Sequence, residues 1–239
     1  MGLPIQKRAR SIIKKEEIRQ EILDAGMILF VTKGSMGFTM GTLAKTIKIR
    51  LPREFSRSSL YTYFNNKYDL WVEIRRDCIS RFESGVMKIY ADFELNKEKS
   101  EKKAEKKWTM LYYEYVKYFF EFAEKEEMRY IMLYMIGPPT SESKEPPVTE
   151  VPKLDLTERA SLLLERAIEA KEIDGKTAHN IVYFTGSLML GGTYLEILQR
   201  SIKKIPDSDK ETAPDIMIRQ SRDYLLLKIR EELQLEDLQ

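Results

Sequence analysis

Few residues of this chain are equipped for covalent chemistry. One cysteine, Cys78, and one histidine, His179, occur in 239 residues. A metal site built from Cys and His, or a Ser-His-Asp or Cys-His nucleophile, therefore has almost nothing to draw on. No acid pair or phosphate-cradling glycine loop stands out either, so no enzymatic activity and no cofactor or metal is expected. The dense group is of another kind: Phe55-Ser56-Arg57-Ser58-Ser59-Leu60-Tyr61-Thr62-Tyr63-Phe64. Its hydroxyls and guanidinium suit non-covalent contact with phosphates and base edges, Arg57 with either and the hydroxyls with both.

The charge distribution supports that reading. Residues 1–67 hold 13 Lys and Arg against 5 Asp and Glu, a surplus of +8, while the rest of the chain is at −6 and the whole at +2. A basic first quarter ahead of an acidic body implies a polyanion contact at one end. A merely solvated basic tail is the competing explanation. Lys7, Arg8 and Arg10 would add a basic arm.

Helical periodicity supplies the elements. Ile18, Ile22, Ala25 and Leu29 predict a helix over 12–31, ended at Lys33-Gly34. Thr39 is the expected N-cap of a second helix carrying Leu43, Ala44 and Ile47. Ser56 caps a third, with Leu60 and Phe64 inward, and Asn66 a fourth. The i+4 series Leu70, Ile74, Cys78, Phe82, Val86 carries that fourth helix to about 94. Residues 96–107 are nearly all charged and read as a loop, as does 137–153 with five of the nine prolines. Further helices are expected over 156–172, 175–203 and 213–235, with no strands. Three short helices inside the basic region suit a helix-turn-helix, whose later helix enters a DNA major groove.

The residues that carry this pattern also carry a resemblance. Ile22-Leu23-Asp24-Ala25, Phe30, Lys33-Gly34, Thr39-Met40-Gly41-Thr42-Leu43-Ala44 and the stretch from Phe55 to Lys67 resemble the N-terminal domain of TetR/AcrR-type transcriptional regulators. The likeness covers about residues 18–74, and Leu-Tyr-x-Tyr-Phe followed by Lys is its tightest part. It implies an all-α chain: an N-terminal three-helix helix-turn-helix DNA-binding domain over 1–67, then a larger helical ligand-binding and dimerisation domain over 68–239. Expected DNA contacts are Thr39, Lys45, Arg50, Ser56, Arg57, Ser58, Ser59, Tyr61, Thr62, Tyr63 and Lys67. Lys67 opens a helix, where the dipole disfavours a cation, which makes a phosphate partner plausible. One departure matters: the segment 48–55, with Pro52, intervenes where the family has a tight glycine turn, and it can alter the angle of the third helix.

The body shows ten of the 25 aromatics within 108–134. Core packing explains most such rings; an apolar ligand pocket is the sharper reading, with Tyr112, Tyr115, Phe119, Phe122, Met132, Met135, Tyr183 and Met189 as its lining. Gly191 and Gly192 in the penultimate helix, with Leu195, Leu225, Leu226 and Ile229, suggest a symmetric four-helix dimer interface, against an intrachain contact. The expected function is a ligand-responsive transcriptional regulator, a repressor in sign, binding pseudo-palindromic double-stranded DNA as a homodimer. The alternative is a helical small-molecule-binding protein whose DNA-reading head is altered by 48–55. No stretch reads as a membrane span or secretory signal, so the expected location is cytoplasmic.

Overall fold

The computed structural model describes residues 4–50, 56–97, 107–139, 150–154, 156–194, 197 and 213–235. The side chains of 4–13 and 48–50, all of 51–55, and Leu195 lie outside the described residues. The basic arm's side chains, Arg50, most of the 48–55 segment and one expected interface residue therefore have no structural account.

Every described element is helical. The order is α1 (Pro4–Gly37), α2 (Met40–Arg50), α3 (Arg57–Leu60), α4 (Lys67–Lys97), α5 (Lys107–Lys125), α6 (Glu127–Tyr134), α7 (Leu156–Glu169), α8 (Gly175–Ser187), a π-helical segment (Leu188–Gly192) and α9 (Ala213–Glu232). Among the described residues no helix is long and apolar enough to cross a membrane.

The chain divides into two compact units, Met1–Arg81 with Glu127–Leu154, and Phe82–Glu126 with Asp155–Gln239. The division passes through α4, and it returns α6 to the first unit. Side chains explain the return. Arg75 donates to the carbonyls of Met132 (3.2 Å) and Leu133 (2.6 Å), at the C-terminal end of α6. A cation there meets the negative end of the helix dipole. Arg129 of α6 pairs with Asp77 of α4, and Ser35 donates to the Gly137 carbonyl.

The first unit is built on the expected apolar faces. Ile22, Ala25, Leu29 and Phe30 of α1, Leu43 and Ile47 of α2, Leu60 of α3, and Leu70, Ile74 and Cys78 of α4 are all buried. Gly26 lets α1 and α4 approach closely, since a β-carbon there would lie 3.0 Å from Ile74 Cδ1. Gly34 interrupts α1 with φ 69°, a conformation a side chain would oppose. Pro4, at the first helical position, suits a helix start. The helix thus begins before residue 12, in a stretch whose polar residues give no apolar period.

The second unit packs around α5. Phe82 meets Tyr115 and Phe122 edge-on, with ring centroids 6.2 and 5.1 Å apart. Glu172 caps α5, accepting from the backbone amides of Trp108 (3.0 Å) and Thr109 (2.9 Å). α7 ends in a Schellman turn, Glu172 N to Ala167 O and Lys171 N to Ile168 O, with Lys171 at φ 60°.

Candidate nucleic-acid interface

Local capping places the polar groups of α2 and α3. Thr39 Oγ1 accepts from the Thr42 amide at 3.1 Å and lies 2.7 Å from the Thr42 hydroxyl. Lys45, further along α2, is exposed. Ser56 and Ser59 form a reciprocal capping box that starts α3, the Ser59 amide donating to Ser56 Oγ at 3.2 Å. Ser58 joins it through its hydroxyl, 2.6 Å from Ser56 Oγ. A four-residue helix has little intrinsic stability, so these bonds and one buried side chain must hold it.

That side chain is Leu60, fully buried, and Phe64 follows it inward. With this face inside, Arg57 and Ser58 are left outside along with Tyr61 and Thr62. Arg57 donates to Tyr61 Oη at 3.2 Å, and its guanidinium lies 5.8 Å from that ring. The pair is pre-ordered without being neutralised, because neither partner is acidic. Thr62 donates to the Ser59 carbonyl at 2.7 Å. Tyr63 is half-buried, with Lys15 Nζ 6.0 Å from its ring. Tyr63 thus divides its surface between packing and solvent.

Lys67 has a local role. Its ammonium donates to the carbonyls of Ser35 (2.8 Å) and Phe38 (3.2 Å), which close the α1–α2 connection. These bonds account for a cation at a helix start and leave one of three donors for a phosphate. Asn66 caps α4 as expected, its Oδ1 accepting from Asp69 N at 2.8 Å.

The expected pocket residues are divided between the two units. Met132 and Met135 belong to the first unit and the others to the second. Tyr115, Phe119 and Phe122 are buried in ring and helix packing. Tyr183 is 77% exposed. Tyr112 and Met189 do meet, with Leu156, Ala160, Val182, Thr185, Gly186 and Leu190, around a cavity of about 20 Å³.

Among the expected interface residues, Leu225 and Ile229 are buried within the second unit and Leu226 is half-buried. Gly191 is exposed, with open space where a β-carbon would stand. Other apolar groups on these helices are open: Tyr183, Phe184, Leu190, Tyr194, Tyr224 and Leu227. Several border a concavity of about 540 Å³ between α8 and α9. Sequence reading missed five of these six, although Tyr183, Leu190 and Tyr194 recur at i, i+7, i+11, a helical stripe.

No protein-family model, curated protein or solved structure matches the chain.

Proposed function

We propose that the chain is a DNA-binding transcriptional regulator of the TetR/AcrR type, a repressor released by an apolar small molecule acting on the second unit. The observation that carries this reading is the orientation of α3. Leu60 anchors it from within, and the same short helix leaves Arg57, Ser58, Tyr61 and Thr62 in solvent. A second helix of a helix-turn-helix presented this way can enter a major groove. Thr39 and Ser56 stand at the starts of α2 and α3, where hydroxyls reach backbone phosphates. The basic surplus of residues 1–67 supplies the long-range attraction. Two such heads in a homodimer would read a pseudo-palindromic site about one helical turn apart. A ligand would release DNA by binding more tightly to a dimer whose head spacing does not match the half-sites.

The test is a mobility-shift titration against the DNA upstream of the chain's own coding sequence. Specific retardation that weakens steeply with added salt is expected. Arg57→Ala and Tyr61→Ala are each expected to abolish it with helicity unchanged. Retardation that survives both substitutions would remove α3 as the reading element.

A further inference from the structure

The cavity beneath the π-helical segment is small, but its lining is chemically unusual. Leu156, Ala160, Val182, Met189 and Leu190 make it apolar, yet two hydroxyls lie among them. Tyr112 is 0% exposed and Thr185 1% exposed; the two hydroxyls face each other, and neither makes a full-strength hydrogen bond to any other protein group. A buried hydroxyl left without a full hydrogen bond costs up to about 1–3 kcal/mol, and beyond each other these two have no protein partner in the cavity. Burial pushes the Tyr112 phenol pKa up to about 12, with Thr185 pulling weakly the other way, so it is a neutral donor at any physiological pH.

The walls suggest how a larger occupant enters. Leu190 both lines the cavity and is 40% exposed, so one side chain touches the cavity and solvent alike. It belongs to the π-helical segment Leu188–Gly192, a geometry that recurs at functional sites. Met189 beside it has an unbranched thioether that repacks readily.

We propose that this cavity is a binding site for a neutral, apolar molecule bearing a single hydroxyl or carbonyl group. Tyr112 Oη and Thr185 Oγ1 satisfy the polar group, while Met189 and Leu190 move to seat the apolar remainder. The inference rests on the reading of the second unit as an effector-binding body, and it names the class of effector. A charged ligand is disfavoured, since the lining offers no opposite charge to repay its desolvation.

Cyclohexanol and methylcyclohexane are matched probes for the full-length protein. Cyclohexanol is expected to bind about tenfold more tightly, the worth of a hydrogen bond in a dry site. The double variant Tyr112→Phe with Thr185→Val is expected to bind the two probes about equally. A crystal structure of the parent with cyclohexanol should place its oxygen within hydrogen-bond distance of Tyr112 Oη, a readout that needs no variant. Equal binding of both probes by the parent would overturn the proposal. So would binding of neither, or a crystal in which one ordered water bridges the two hydroxyls and cyclohexanol leaves it in place. DNA retardation measured on the same preparation separates the two readings. Retardation without alcohol preference sinks this inference alone, and absent retardation sinks the regulator.

Discussion

At the scale of single residues, two side chains of the first unit show how charge and burial are managed. Lys67 spends its ammonium on the Ser35 and Phe38 carbonyls. Lys67→Met keeps the aliphatic stem and leaves both carbonyls short of a donor. It should destabilise the protein by about 1–3 kcal/mol in chemical denaturation. An unchanged denaturation midpoint would mean that the ammonium is held for another partner. Cys78 is the second case. Burial raises its thiol from an ordinary 9.0 to about 12, although Arg129 and Arg75 oppose the shift. The unfolded thiol therefore ionises first as pH rises. Between about 9 and 12 the unfolded state holds fewer protons, and stability falls with pH. The contribution is complete below 9 and lost toward 12. Cys78→Ala should flatten the decline in stability measured from pH 8.5 to 10.5, and an identical slope in parent and variant would show that Cys78 does not cause it.

At the scale of elements, what the sequence made legible follows from what each helix uses to hold itself. Caps are local, so Thr39, Ser56 and Asn66 could be recognised three residues from their partners. Apolar faces are periodic, so Leu70 through Val86 could be traced along α4. The early start of α1 could not, because it has a polar beginning with no apolar period. The cap on α5 could not either, because its acceptor, Glu172, comes from 63 residues away. Nor could the π-helical segment, which adds no residue type of its own. The expected end of α7 at 172 lies three residues past the observed one at Glu169, and the geometry of the turn was hidden. Glycine normally takes the left-handed position of a Schellman turn, and here Lys171 does. Lys171→Gly should relieve that conformation and stabilise the protein by about 1 kcal/mol, read as a raised midpoint in denaturant. A lowered midpoint would show that the lysine side chain contributes more than its backbone costs. The same turn aims Glu172 at α5, so trimming the carboxylate would confuse the two effects, and the glycine substitution separates them.

At the scale of the whole molecule, the open question is what covers the outer face of α8 and α9. Leu225 and Ile229 are already inside the second unit. The apolar groups without cover around the concavity are Tyr183, Phe184 and Tyr224, exposed at 77%, 49% and 60%. Soluble monomers seldom leave several large aromatic side chains clustered in water. His179, Lys228 and Glu232 border the same concavity and supply the polar rim that interfaces usually have. A second copy of the chain, meeting this face about a twofold axis, would cover it. Light scattering should then give twice the 28.1 kDa chain mass at micromolar concentration. Phe184→Glu with Tyr224→Glu should yield a monomer of unchanged helicity, since both side chains are exposed within the chain. On the regulator reading proposed above, DNA retardation should weaken with it and its salt dependence should become shallower, because a single head would neutralise about half the phosphates. A parent protein that scatters as a monomer would remove the twofold arrangement. A dimer untouched by the two glutamates would move the interface to another face.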